Sequence, residues 1–361
     1  MVRVIHYGLS ARMGGIETYL FKLASHIDRS KIDFTFIWEG SEFPCFYQEL
    51  SEMGFEFVHI TSRRENFVHN QKDLNAIFAN GKYDVFHCHL NTLSYITPIK
   101  IALKNNCKVV VHSRNGYADQ TRFYTLWLHK LHFNWLKKQT IKRVAVSDVA
   151  AEWLFGDMPC EVINNGINIE RFRWNKNKRD AVRAELEIQE KHVYGHVGSF
   201  SLQKNHDYLL EVFAEIEKED DDAVLLLVGD GIRREHIENK IAGLGLTTKV
   251  YLMGNKKDVE KYMWAMDVFL FPSNFEGFPN VLLEAQTTGL PCVVADTITK
   301  EVRVLDSTYY LALSEDKTHW KELAIKILGM NVKREDCADM IACAGFSVSE
   351  EVNKIKKVYT V

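Results

Sequence analysis

The sequence is first informative for what it lacks. No apolar run approaches the roughly 20 residues that a membrane-spanning helix needs. No secretory signal is read at the start, because Met1–Tyr7 has the length and pattern of a strand. Net charge is only −3, so no global field draws the chain onto nucleic acid, and any basic patch is local. The seven cysteines, Cys45, Cys88, Cys107, Cys160, Cys292, Cys337 and Cys343, are odd in number and widely spaced, with no CxxC pair. That pattern speaks against a disulfide framework or a zinc site and for buried thiols in a reducing compartment. No Ser-His-Asp or Cys-His nucleophile set is apparent, no H-E-x-x-H, and no G-x-G-x-x-G dinucleotide fingerprint. Low-complexity segments are also missing.

What is present is a packed globular composition, 46% apolar over 361 residues. This length exceeds a usual single core and predicts two domains. Short apolar runs alternate with helical patterns in both halves. In the first half the strand-like runs are Val2–Tyr7, Asp33–Trp38, Glu56–Ile60, Asp84–His89, Lys108–His112, Arg143–Ser147 and Glu161–Asn164. In the second they are Tyr194–Gly198, Ala223–Gly229, Val250–Met253, Val268–Phe271 and Pro291–Ala295. Near-continuous apolar strands alternating with helices predict parallel sheets covered on both faces. The fold class is therefore α/β: two Rossmann-like parallel-sheet domains, with a cleft between them as the natural active site. Arg171–Lys191 is rich in Asn, Lys, Arg and Glu and reads as a solvated connection. The predicted division is an N-terminal domain over 1–168, a linker over 169–192, a C-terminal domain over 193–340 and a final helical segment over 341–361.

Chemistry concentrates after the strands. Following Val268–Phe271 comes Pro-Ser-Asn-Phe-Glu276-Gly277-Phe278-Pro279-Asn280-Val-Leu-Leu-Glu284. Pro279 suits a first helical turn, where its missing N–H costs nothing, and Gly277 lets backbone approach a ligand. The N–H groups of that helix start, with the positive end of its dipole, suit a diphosphate. Two carboxylates cannot hold phosphate as well. Their predicted task is to accept hydrogen bonds from hydroxyls, Glu284 from a ribose diol and Glu276 from a sugar. Lys204 follows the first strand of the second half, in Gly198-Ser199-Phe-Ser-Leu-Gln-Lys204-Asn-His206. A cation there can neutralise charge building on a leaving diphosphate. Asp220 and Asp222 form a literal D-x-D. They precede a strand instead of following one, so the reading is a polar turn and no metal is predicted.

The Glu276–Glu284 stretch resembles the E-x7-E signature of retaining GT-B glycosyltransferases, in particular glycosyltransferase family 4 and its capsule and exopolysaccharide branch. The resemblance extends over nearly the whole chain. It runs in order through Gly14-Gly15-Ile16-Glu17, Ala145-Val146-Ser147, Asn165-Gly166-Ile167-Asn168, Lys204-Asn205, Gly229-Asp230-Gly231 and Asp267–Ser273. Thr297–Glu301 resembles the exopolysaccharide branch. This likeness implies transfer of a sugar from a nucleotide sugar, UDP by family habit, to a glycan, lipid-linked by expectation, with retention and without cofactor. The donor set implied is Gly14, Gly15, Gly198, Ser199, Lys204, Gly229, Glu276, Gly277, Phe278, Pro279, Asn280 and Glu284, with His112 near the transferred sugar. Glu276, Lys204 and His112 carry the implied catalytic roles. Ser199 stands where many members have arginine, which leaves Lys204 to supply the charge. His87 and His89 are read as structural. The last helix, around Ser347–Tyr359, is implied to cross back to the first domain and form a hinge with the polar link. Two alternatives stay open: a sugar-nucleotide 2-epimerase of the same fold, and a non-catalytic nucleotide-sugar-binding subunit.

Arg122–Arg143 holds six Lys and Arg residues and no Asp or Glu. On a helical wheel Tyr124, Trp127, Leu128, Leu131 and Trp135 share one face, and Arg122, Leu126, Lys130, Phe133 and Lys137 the other. The second face is predicted to lie outward, either solvated or resting on an anionic membrane. The expected location is cytoplasmic, at the inner face of the cell membrane where such contact is made. No nucleic-acid partner is expected.

Overall fold

The computed structural model describes residues 1–79, 81–116, 123–330 and 332–360. They form two compact units, Met1–Gly166 with Val348–Val361, and Ile167–Ser347.

Unit 1 runs β1 (Val2–Leu9), α1 (Gly15–His26), β2 (Ile32–Glu39), α2 (Tyr47–Glu52), β3 (Glu56–Ile60), α3 (Phe67–Ala79), β4 (Val85–Leu90), α4 (Thr97–Lys104), β5 (Lys108–Ser113), α5 (Phe123–Lys137), β6 (Lys142–Ala145), α6 (Asp148–Phe155) and β7 (Glu161–Val162). Unit 2 continues with α7 (Ile169–Phe172), α8 (Lys176–Glu185), β8 (His192–Val197), α9 (His206–Glu217), β9 (Ala223–Val228), α10 (Arg234–Gly243), β10 (Val250–Gly254), α11 (Val259–Ala265), β11 (Val268–Phe271), α12 (Asn280–Thr287), β12 (Cys292–Ala295), β13 (Thr308–Leu311), α13 (Lys317–Leu328) and α14 (Cys337–Cys343). The chain then returns to unit 1 as α15 (Val348–Thr360).

Both sheets are parallel, in the orders β3-β2-β1-β4-β5-β6-β7 and β10-β9-β8-β11-β12-β13. In each, three strands build outward to one side and the chain then starts again on the other. The order reverses between β1 and β4 in unit 1 and between β8 and β11 in unit 2. Loops leaving such paired strands at their carboxyl ends diverge, and the gap admits a ligand. The apolar composition of the central strands follows from their position: all six residues of β9, Ala-Val-Leu-Leu-Leu-Val, are buried. Local signals set several helix starts. Ser147 Oγ accepts from the Ala150 N–H to open α6, and Asn175 does the same for Lys178 in α8.

The segment read as a solvated linker is part of unit 2. Arg179 and Arg183 of α8 both pair with Asp267, ahead of β11. The Arg334 guanidinium lies 3.6 Å from the Trp174 ring centroid. Those charges look solvated in the sequence but are bound to partners far along the chain. Unit 2 accordingly begins at Ile167 and runs to Ser347, so it keeps all of α14, which straddles the boundary predicted at residue 340. Ile167 and Ser347, its two ends, are joined by a parallel bridge. On α15, Val348, Val352, Ile355, Val358 and Tyr359 join a core with Val4, Leu20 and Phe34. Each such buried side chain contributes about 1.5–3 kcal/mol. On the flank of α15, Glu351 binds Lys22 Nζ at 2.7 Å and accepts from the Gly166 N–H at 2.9 Å.

Candidate functional site

In unit 2 the loops after β8 and β11, the two strands at the order reversal, are tied together. The Asn274 N–H donates to the Gln203 carbonyl at 2.8 Å, and Asn274 Nδ2 donates to the Leu202 carbonyl at 2.8 Å. This brings Lys204 Nζ to 2.6 Å from Glu276 Oε1, with side chains only 14% and 9% exposed. Gln203 Nε2 donates to Glu276 Oε2 at 3.1 Å and to the Phe275 carbonyl at 3.0 Å. Both carboxylate oxygens are thereby oriented. The Lys204 ammonium also lies 5.3 Å from the Phe271 ring centroid.

Two glycines make room for this pair. A Cβ on Gly198 would come within 3.2 Å of Lys204 Cδ and Cε and 2.9 Å of His196 Nε2. Gly229, at φ +142°, passes so close to Gly198 that a Cβ there would lie 2.0 Å from its carbonyl oxygen. Asn205 turns the loop through the left-handed region at φ 53° and carries the chain into α9. Beneath the loop, His196 Nδ1 donates to the Leu270 carbonyl at 2.8 Å. Burial, and then the neighbouring His206, holds His196 well below the usual imidazole range. Burial lowers His206 to about 4. Both rings are therefore neutral at pH 7.

Helix α12 starts at Asn280 with Pro279 as its N-cap and no side-chain cap. Gly277, Phe278 and Pro279 are buried, and Glu284 is half-buried one turn into the helix. Ser199 is exposed and its hydroxyl is 3.4 Å from that of Ser201. The structure thus gathers Gly198, Lys204, Gly229 and Glu276 at one edge of the sheet. Gln203 and His196 escaped the sequence reading. Gln203 precedes Lys204 and only the loop's turn aims both at Glu276, while His196 looked like one more strand residue. At the opposite ends of these strands, Asp220 binds His192 Nδ1 at 2.9 Å and Asp222 binds Lys191 at 2.6 Å.

In unit 1, Gly14 and Gly15 are exposed at the start of α1, with Glu17 accepting from the Ser10 N–H and hydroxyl at 2.9 and 2.8 Å. His112 differs from expectation. It has no exposure, and both ring nitrogens are engaged. Arg114 can only donate, so its Nη1, 3.1 Å away, fixes His112 Nε2 as an acceptor. His112 Nδ1 then donates to His87 Nε2 at 3.2 Å, and His87 Nδ1 donates to the Tyr359 hydroxyl at 2.7 Å. A ring enclosed this way does not fit direct contact with a sugar; it is bonded to Arg114, which also bonds Asn165 and stacks on Tyr19. His6 and His89, 3.1 Å apart, complete a buried imidazole group. Burial lowers His6 to about 3 and drives His87, His89 and His112 well down. Among the described residues His6, His87 and His89 are the one set whose ligand atoms could share a cation. Mutual hydrogen bonds and the nearby Arg114 charge favour a neutral network instead.

Helix α5 also corrects the sequence reading. Its inner face is His129 and Leu136, with His129 Nδ1 accepting from the Leu93 N–H at 3.1 Å and its ring stacked on Trp153. Phe133 and Leu126 are half-buried, Lys130 and Lys137 are exposed, and Lys137 pairs with Asp157 at 2.8 Å. Arg122 lies outside the described residues. The outward face instead carries Phe123 (85% exposed), Tyr124, Trp127 (57%) and Leu131. The aromatics face out and the histidines face in, because His129 and His132 find backbone partners at Leu93. No helix among the described residues is long and apolar enough to cross a membrane.

The family described as glycosyl transferases group 1 matches residues 178–342, and glycosyltransferase family 4 matches residues 13–171. The chain is 30% identical to a putative glycosyltransferase, EpsF, of Bacillus subtilis, over 99% of this chain and 96% of that one. It is 26% identical, over the same shares, to a UDP-Gal:alpha-D-GlcNAc-diphosphoundecaprenol alpha-1,3-galactosyltransferase of Escherichia coli. Among solved structures, Anabaena HepE in complex with UDP superposes with a TM-score of 0.80 at 18% identity, covering 99% of both chains. A glycosyltransferase of Rickettsia africae gives 0.82 at 19%, covering 99% of this chain and 97% of that one. At that identity these two matches establish the shared fold.

Proposed function

The chain belongs to the glycosyltransferases of group 1 and family 4, and from that premise we propose that it moves a sugar from a UDP-sugar to a lipid-linked saccharide, with retention, in exopolysaccharide or capsule synthesis. The observation that carries this reading is the Lys204–Glu276 pair at the order reversal of unit 2, beside the uncapped start of α12. The positive end of the α12 dipole favours a diphosphate there, while the Asn280 N–H itself is held by the Phe278 carbonyl at 2.9 Å. Lys204 has three ammonium hydrogens, so it can keep Glu276 and still meet a phosphate oxygen. Its charge stabilises the leaving UDP as the anomeric bond breaks. Glu276, held by Gln203 and Lys204, orients the sugar hydroxyls, and Glu284 receives the ribose diol. The acceptor hydroxyl attacks from the face the phosphate leaves, and its proton passes to the departing phosphate oxygen. The bound diphosphate is already an activated leaving group, so positioning and charge suffice without a protein nucleophile.

The UDP donor is supported by UDP in the HepE complex, and the lipid carrier by the diphosphoundecaprenol acceptor of the Escherichia coli relative. Exposed Trp127, Tyr124, Phe123 and Leu131 beside Lys130 and Lys138 give α5 the apolar and basic surface of an interfacial helix. It rests on the anionic cytoplasmic leaflet, where such acceptors are presented. The test is transfer from a panel of UDP-sugars to N-acetylglucosaminyl diphosphate on a short soluble chain, read by NMR of the new linkage. An α-linked product from an α-linked donor is expected; a β-linked product overturns retention, and a free epimerised sugar nucleotide overturns transfer.

A further inference from the structure

Arg114 follows β5 directly, at the carboxyl edge of the unit 1 sheet, the edge where α/β sheets take their ligands. Its guanidinium is held from three sides. Nη1 donates to His112 Nε2 at 3.1 Å, Nη2 donates to Asn165 Oδ1 at 3.0 Å, and the planar group lies 3.8 Å from the Tyr19 ring centroid. Behind His112 the hydrogen bonds continue through His87 to the Tyr359 hydroxyl on α15. The orientation of the guanidinium is thus set before any ligand arrives.

Every one of these partners is uncharged. The acid that acts on Arg114, Glu351, is engaged elsewhere. Its Oε2 meets Lys22 Nζ at 2.7 Å and the Gly166 N–H at 2.9 Å, and its Oε1 accepts no hydrogen bond from Arg114 or any other described residue. Lys22 and Arg114 therefore face one carboxylate between them. The neighbouring imidazoles do not offset the excess. Burial first, and then the Arg114 charge itself, keeps His112 neutral, and the same charge adds to the burial of His87 and His89. Burial lowers Arg114 as well, but a guanidinium keeps its proton in proteins.

A half-buried cation held rigid with no counter-ion of its own is costly unless an anion completes it. Of the five N–H groups of an arginine, His112 and Asn165 take two, and that of Nε is among those left without a partner. The planar fork matches the oxygens of a phosphate, whereas an uncharged ligand would leave the charge unmet. We propose that Arg114 binds a phosphate group at this edge of unit 1, through the guanidinium hydrogens that His112 and Asn165 leave. That the phosphate belongs to a substrate of sugar transfer rests on the glycosyltransferase reading; the binding itself does not. Two substrates of that reading carry the chemistry, the sugar nucleotide and an acceptor linked through a diphosphate.

The probes are UDP and N-acetylglucosaminyl diphosphate on a short soluble chain, titrated calorimetrically into the full chain. Arg114→Met is expected to weaken at least one of them about 10- to 100-fold, with Arg114→Lys, which keeps the charge but loses the fork, lying between. Loss confined to UDP assigns the phosphate to the donor, loss confined to the glycosyl diphosphate assigns it to the acceptor, and loss of both shows that either reaches the site. A second measurement is made on the wild type. The Arg114 Nε–H resonance, assigned by its absence from Arg114→Lys, is expected to shift in NMR spectra when the same probe is added. Unchanged affinity for both probes in Arg114→Met overturns the proposal. So does a resonance that neither probe moves, since weakened binding would then reflect a structural role alone. A diphosphate that shifts the Arg114 resonance while no sugar is transferred upholds this site and overturns the transferase reading instead.

Discussion

At the reversal point of unit 2, two loops bring an ammonium and a carboxylate to 2.6 Å; at that of unit 1, the Glu39 carboxylate and the Arg63 guanidinium each bond or stack with other neighbours and leave a cavity. The backbone plan is the same: parallel strands, reversal after the third, loops diverging at the carboxyl ends. The side chains beneath differ as well. In unit 1 the cavity wall includes His89, one of four buried imidazoles, while in unit 2 Gly198 and Gly229 thin the backbone so that the Lys204 stem can pass. Topology supplies the opening in both cases. Which ligand it suits is decided by which charges are fixed there and by what fixes them.

This contrast can be broken experimentally, and the largest effect belongs to unit 2. Lys204→Met is expected to lower kcat about 100- to 1,000-fold, measured as UDP release with acceptor present. It also strands Glu276, at a cost of about 3–5 kcal/mol in unfolding free energy. Adding Glu276→Gln recovers most of that stability in urea denaturation but none of the rate, which separates the fold from the chemistry.

Acid should act mainly on unit 1. Its buried histidines have folded pKa values depressed below the unfolded 6.5, His6 to about 3. Unfolding takes up protons that the folded state refuses, so stability is present above pH 6.5 and is lost as pH falls below it. Each such histidine costs about 1.4 kcal/mol per pH unit. Unit 1 has four wholly buried, His6, His87, His89 and His112, against His196 and His206 in unit 2. Hydrogen exchange between pH 7 and 5 is expected to show unit 1 opening first; equal loss in both units contradicts the neutral network.

A smaller effect concerns the aromatic face of α5. Replacing Tyr124 and Trp127 together by serine is expected to reduce partition onto anionic vesicles about tenfold at low salt, with UDP affinity unchanged. Tyr359→Phe sharpens the comparison least: it removes the hydroxyl that accepts from His87 and should lower stability by about 1 kcal/mol, read from the denaturation midpoint.

Much of this plan was legible in the chain because strand burial and strand composition are one fact. β9 is apolar at every position since both its faces are covered. Lys204 and Glu276 were legible as loop residues after strands, but their pairing was not, because it depends on the left-handed turn at Asn205 and the clasp between Asn274 and Gln203. β13 was missed: it is a four-residue edge strand, Thr-Tyr-Tyr-Leu, three of whose residues are only half-buried, so no apolar run marks it. The α8 segment was misread since its arginines meet a carboxylate more than 80 residues away, which periodicity does not register. The enclosure of His112 and the outward aromatics of α5 were not legible for a related reason. Imidazoles find buried partners here while Trp127 is exposed, an inversion of the usual ranking that only the packing reveals.

The most direct measurement is calorimetric titration of UDP into the wild type, Lys204→Met and Arg63→Met. Measurable affinity in the wild type, a loss of about 10- to 100-fold in Lys204→Met and no change in Arg63→Met is the predicted result. UDP binding that survives Lys204→Met unchanged, or that Arg63→Met weakens to the same degree, contradicts the assignment of the charged reversal point of unit 2 to the donor.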